Sequence, residues 1–241
     1  MNWTAKLPTT IAAFLLQAAL ASAAQPQPVP VPVQVASAHA LESQRLITQH
    51  TIRRWTDTDG LPQNSLNAMA QTSDGFLWLA SEEGLIRFDG ARFVVYNAAN
   101  TPQLALSQML ALAAAPDGTL YIGTAGSGLV RHRRGAFAAV AREGLPSSRV
   151  QAVAVAGGGT VWAGTNRGLA RIAPDGSVRV FTVRDGLPHD DVSTLLVVGD
   201  TLWAGTRTGL ARVDASGVGV AAGTAGRDVR AVTAARAGGV W

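Results

Sequence analysis

The chain has 241 residues, of which 47% are hydrophobic, 15% charged and 6% aromatic, a composition that supplies a packed core and excludes a globally disordered chain. It contains no cysteine, which excludes a disulfide scaffold, a thiolate metal site and a cysteine nucleophile. The formal net charge is +4, yet the arginines are spread one or two per segment with no dense run, so nucleic acid is not an expected partner.

In chain order the first element is an address. Lys6 precedes the apolar stretch from Ile11 to Leu20, and Ala21-Ser22-Ala23 follows as a small-x-small cleavage pattern. This layout predicts a secretory signal-peptide helix over residues 1–23, its apolar core too short to span a bilayer comfortably. Residues 24–44 read as a Pro-rich linker, because the alternation from Pro26 to Pro32 favours extended polyproline II and forbids helix. The mature protein is therefore expected to be exported.

From residue 45 onward the chain repeats. Asp59-Gly60-Leu61-Pro62, Glu143-Gly144-Leu145-Pro146 and Asp185-Gly186-Leu187-Pro188 open three units. Leu187 follows Leu145 by 42 residues, Trp203 follows Trp162 by 41, and Leu145 follows Leu61 by 84, two periods. Such a period marks repeat architecture. The units run over about 59–100, 101–142, 143–184 and 185–226, with a shortened fifth from Val229-Arg230-Ala231-Val232 to Val240-Trp241.

Each unit holds four short apolar or β-branched runs. In the third these are 150–156, 161–165, 169–173 and 178–183, separated by Gly157-Gly158-Gly159, Asn166-Arg167-Gly168 and Pro174-Asp175-Gly176. Runs this short bounded by glycine are strands, and internal Gly and Pro-Asp-Gly break any helical solenoid of similar period. Four antiparallel strands per period predict an all-β fold, a β-propeller of about four blades plus a partial fifth. An orphan outer strand is expected over 46–55, suited to closing a ring, and the chain is expected to be the leading part of a longer polypeptide.

Trp78, Tyr121, Trp162 and Trp203 recur at one position and are expected to fill the gaps between blades. Gly84, Gly128, Gly168 and Gly209 are expected to take turn geometry. Naming the strands of a blade a to d, the d-to-a and b-to-c loops emerge on one rim. That rim gathers the polar candidates for a ligand site: Gln63, Asn64, Ser65, Arg149, His189 and Asp190 in the d-to-a loops, and Glu82, Glu83, Asn166, Arg167 and Arg207 in the b-to-c loops. Converging donors and acceptors suit a polar or acidic small molecule, against the plainer reading of solvated loop tips. No catalytic constellation stands out: His39, His50, His132 and His189 are scattered without metal-ligand spacing, and no metal or cofactor is expected.

The string from Arg54-Trp55-Thr56 through Asp59-Gly60-Leu61-Pro62-Gln63-Asn64-Ser65, then Gln71-Thr72-Ser73-Asp74-Gly75-Phe76-Leu77-Trp78 and Glu83-Gly84-Leu85-Ile86-Arg87-Phe88-Asp89-Gly90, resembles the two-component regulator propeller repeat. The resemblance covers roughly 46–241 and is strongest in the first unit; the second lacks Gly-Leu-Pro and carries Ser127-Gly128 in a longer loop. It implies a periplasmic sensor of a small molecule or glycan, homodimeric in the full-length receptor. In that family two propellers are followed by a β-sandwich, a membrane helix and an output module, usually a histidine kinase or a diguanylate cyclase. The competing readings are a secreted lyase-like propeller enzyme using the same polar face, and a protein-interaction propeller.

Overall fold

Four antiparallel meanders follow one another along the chain, each pairing its strands in sequence order. A computed structural model describes residues 54–104, 108–141, 143–235 and 239–241; the expected signal peptide, linker and most of the 46–55 strand lie outside the described residues. Blade 1 consists of β1 (Leu66–Gln71), β2 (Leu77–Ser81), β3 (Leu85–Phe88) and β4 (Phe93–Tyr96). Blade 2 has β5 (Met109–Ala114), β6 (Leu120–Thr124), β7 (Leu129–Arg133) and β8 (Ala136–Val140). Blade 3 has β9 (Val150–Val155), β10 (Val161–Thr165), β11 (Gly168–Ile172) and β12 (Val178–Phe181). Blade 4 has β13 (Val192–Val198), β14 (Thr201–Thr206), β15 (Gly209–Asp214) and β16 (Gly217–Val220). The propeller expectation holds, and the strands of the third unit fall within two residues of the runs read from the sequence.

The first strands of successive blades lie against one another, β1 on β5, β5 on β9 and β9 on β13, so the core is a series of layers between blades. Trp78, 1% exposed, packs with Leu120, Ile122 and Val130 of blade 2. Its indole N–H donates to Thr72 Oγ1 at 3.0 Å, which satisfies the one polar atom such a ring brings into a core. Trp162 packs with Leu202 and Val213 of blade 4, and Tyr121 with the blade 3 cluster around Val150 and Ala163. Trp203 is half-buried on the face of blade 4 turned away from blade 3.

The layers differ in their filling. Between blades 1 and 2, His132 and Phe137, paired in register on β7 and β8, pack at a tilt against the stacked pair Trp78 and Tyr96, with centroid separations of 4.6–5.8 Å among neighbouring rings. Burial in this aromatic layer pushes the His132 pKa down, the Arg87 charge pushes it the same way, and Asp74 opposes both.

The shortened fifth unit differs from a full blade. Residues 229–235 form no strand; Thr233 and Trp241 exchange backbone hydrogen bonds of 3.0 and 2.8 Å, and Ala234 bridges Val240. Its opening residue nonetheless docks like the others, with Val229 N–H donating to Thr206 O at 2.9 Å.

Candidate functional site: the loop rim

The rim begins with how each unit enters its blade. In the first and fourth units a threonine and an aspartate close a 3₁₀ turn. Asp59 accepts from the Thr56 N–H and hydroxyl at 2.8 and 3.0 Å, and Asp185 accepts from Thr182 in the same way at 2.9 and 3.0 Å. The bonds from the Thr182 backbone and hydroxyl hold the Asp185 carboxyl below the ordinary carboxylate range, helped by Arg179. The next residues, Gly60 and Gly186, take φ of 90° and 105°, and Leu61 and Leu187 then plug into the core. The Asp-Gly-Leu-Pro signature is thus a capped turn, a left-handed residue and a hydrophobic plug.

The b-to-c hairpins are fastened by one repeated device. The buried hydroxyls of Ser81, Thr124, Thr165 and Thr206 donate to the carbonyls of Gly84, Gly128, Gly168 and Gly209 at 2.7–2.9 Å. At Gly168, φ is 130° and an added Cβ would lie 2.8 Å from Phe181 O. Each hairpin is then tied to a neighbouring d-to-a loop. Glu82 N–H donates to Gln63 Oε1 at 3.1 Å, Gly128 N–H to Ser148 O at 2.9 Å, Gly168 N–H to Asp190 O at 2.7 Å, and Thr208 Oγ1 to Pro188 O at 2.7 Å. The two loop sets form one interlocked rim.

A second tie lies at the start of each innermost strand, where the ladder slips by one residue at Asn67, Leu110, Gln151 and Ser193. Three of these bulged residues are polar and reach the next unit. Asn67 donates to Met109 O at 2.9 Å, Gln151 to Asp191 Oδ1 at 2.6 Å, and Ser193 to Val229 O at 2.8 Å. Asp191 also receives Arg207 Nε on Oδ2 at 2.7 Å. One carboxylate therefore joins blade 3, through Gln151, to the b-to-c loop of blade 4.

The candidates from the sequence fall into two groups. Gln63, His189 and Asp190 are partly buried and serve the scaffold: Gln63 through Glu82, His189 Nδ1 by accepting from Asp191 N–H at 2.9 Å, and Asp190 by accepting from Val183 N–H at 2.8 Å. Asn64, Ser65, Glu82, Glu83, Arg149, Asn166 and Arg167 have exposed side chains on the rim. Among the described residues, Glu82, Glu83, Arg149 and Arg167 make no ion pair, whereas Arg207 pairs with Asp191. Carboxylates thus stand free on the blade 1 sector and guanidinium groups on the blade 3 sector. Sequence reasoning missed Asn67, Gln151 and Ser193. Their signal was available as a polar residue recurring second in an otherwise apolar innermost strand. Among the described residues no group of three or more His, Asp or Glu side chains could hold a metal.

Residues 60–83 match the model of the family described as two component regulator propeller. The chain carries a repeat of this family. The matched stretch runs from the left-handed Gly60 through β1 and β2 to Glu83, so it includes the blade 1 sector of the rim. Two extracellular domains of hybrid two-component systems from B. thetaiotaomicron are similar to this chain in fold. The first has a TM-score of 0.67 and 24% identity, the second 0.60 and 22%. They cover 78% and 74% of this chain, which in turn spans 28% and 25% of theirs. Virginiamycin B lyase from Staphylococcus aureus is also similar in fold, with a TM-score of 0.57, 16% identity, and coverage of 73% of this chain and 62% of the lyase. No curated protein matches the chain.

Proposed function

We propose that this chain is the extracytoplasmic sensing propeller of a bacterial transmembrane signalling receptor, acting in the periplasm, and that the loop rim binds a small polar or acidic molecule or glycan fragment. The observation that carries the reading is the pairing pattern on the rim. Among the described residues Arg149 and Arg167 stand exposed and without carboxylate partners, beside a scaffold in which Asp191 is held by both Gln151 and Arg207. Unpaired guanidinium groups on loops pinned to a rigid frame suit a carboxylate, sulfate or phosphate group, which they bind bidentately. The family repeat at 60–83 and the fold shared with extracellular domains of hybrid two-component systems support the sensing role. In the parent receptor, ligand binding is relayed through a homodimer to a histidine kinase or diguanylate cyclase output.

The test is a thermal-shift screen of the exported chain against acidic and neutral mono- and oligosaccharides and small organic acids. A ligand at a hundred times its Kd stabilises the native state by about 2.7 kcal/mol. The expected result is stabilisation by at least one acidic compound, lost in the Arg149→Gln/Arg167→Gln double variant. Stabilisation that survives this substitution overturns the assignment of the rim.

A second reading, a secreted lyase-like enzyme, draws on the fold shared with virginiamycin B lyase and on His189, whose Nδ1 is fixed by Asp191 N–H. It predicts turnover that His189→Ala abolishes.

A further inference from the structure

The cleft between blades 3 and 4 is lined differently from the cleft between blades 1 and 2. In the first cleft His132 and Phe137 supply two rings packed at a tilt, with centroids 4.6 Å apart. The register-equivalent pair on blade 4 is Val213 and Val218. Two isopropyl groups stand where the first cleft has two rings, and a groove of about 580 Å³ lies against them, lined also by Trp162, Arg171, Arg179 and Phe181. Small-molecule sites commonly measure roughly 300–1,000 Å³.

The facing wall has a feature that the other blades lack. Trp162, Arg171 and Arg179 form one in-register row across β10, β11 and β12. In the other three blades the row also places an aromatic residue beside an arginine, but it ends on Val94, Ala138 or Gly219. Arg171 lies over the Trp162 ring at 6.0 Å and Arg179 over the Phe181 ring at 4.6 Å. Neither arginine has an ion pair among the described residues. Stacking orients a guanidinium while leaving its N–H edge free for an oxyanion. The carboxylates in the groove are for the most part already engaged. Asp214 pairs with Arg212 at 2.8 Å and accepts from Ser216, and Asp185 is bonded to Thr182; Asp200 sits on an exposed hairpin turn.

We infer that this groove is a second ligand site, separate from the loop rim, for a small organic anion with an apolar body. Arg171 and Arg179 hold the carboxylate or phosphate group, and Trp162, Phe181, Val213 and Val218 receive the body.

The test titrates the full chain with benzoate, phenyl phosphate and, as the uncharged control, benzyl alcohol, followed by calorimetry and by the indole fluorescence of Trp162 against a Trp162→Phe background. Both anions are expected to bind, with the alcohol about tenfold weaker or more, and their ratio distinguishes carboxylate from phosphate preference. Arg179→Gln, on an exposed side chain, is expected to weaken anion binding by about tenfold. Val218→Phe refills the groove as Phe137 fills the first cleft, so it is expected to abolish binding while the melting temperature holds or rises. The Trp162 signal reports on the groove and not on the rim, which separates the groove's failure from that of the rim. Equal binding of benzyl alcohol, unchanged affinity in Arg179→Gln, or no binding of either anion at millimolar concentration would overturn the inference.

Discussion

Arg207 reaches back over the rim to Asp191, Nε to Oδ2 at 2.7 Å, with the guanidinium side 68% exposed and the carboxylate side only 18% exposed. The two ends of this bond are therefore unequal. Solvent competes for the arginine, while the aspartate also holds the Gln151 amide of the preceding blade. Arg207→Ala is expected to cost no more than about 1 kcal/mol, the usual worth of an exposed pair. Asp191→Ala strands both partners and is expected to cost about 1–3 kcal/mol. Urea denaturation midpoints of the two variants provide the comparison, and an equal cost for both would contradict the asymmetry.

Trp78 and Trp203 occupy the same place in their blades but not the same surroundings. Trp78 is sealed between two blades, whereas Trp203 is half-buried on the outward face of blade 4. Trp78→Ala is expected to lose about 3–5 kcal/mol, the usual cost of emptying a large core site. Trp203→Ala is expected to lose clearly less, measured by denaturant titration of the same chain.

Gly164 and Gly219 give opposite expectations for alanine. A Cβ on Gly164 would lie 2.8 Å from Val192 Cγ1 and 3.1 Å from Val192 O, so the next blade must shift to admit it. Gly164→Ala is expected to destabilise by about 1–3 kcal/mol. A Cβ on Gly219 meets nothing within 4 Å. Gly219→Ala should be neutral or stabilise by up to about 1 kcal/mol, through the unfolded chain. Thermal melts of both variants separate these outcomes.

His132 makes stability depend on pH. Its folded pKa lies below the ordinary 6.5, first through burial and then through Arg87. The unfolded chain therefore takes up the proton before the folded chain does. This contribution is absent above about pH 6.5 and grows unfavourable as pH falls through the interval between the two values. The melting temperature is expected to drop more between pH 7 and pH 5 in the wild type than in His132→Phe, which keeps a ring between Trp78 and Phe137 but carries no proton. Parallel slopes would contradict this role.

The four-stranded unit was legible because its signals are local. Apolar runs of four to seven residues between glycine turns dictate strands wherever they occur, and the 41–42 residue spacing stacks them into blades. The fifth unit shows where local signals stop. Val229-Arg230-Ala231-Val232 has a strand-like composition, yet 229–235 forms no strand beyond the single bridge of Ala234 to Val240. The rim was legible only as a set of loops. Asp190 and Asp191 are neighbours with the same side chain, but the carboxylate of Asp190 closes a turn onto Val183 N–H, whereas that of Asp191 joins two blades. Sequence cannot rank the two, since their difference lies in residues 7 positions upstream for one and 40 for the other.

By itself the amino-acid order determined the strands, the hairpin turns and the repeat, since all of these follow from backbone preference and apolar patterning within a few residues. Only the tertiary structure decided which rim side chains are consumed in bracing the scaffold and which are left with free charge. It alone also showed that a groove lies beside Val213 and Val218, the counterparts of His132 and Phe137. Those outcomes depend on groups about forty residues apart coming within bonding or packing distance, and short-range preference carries no information about such encounters.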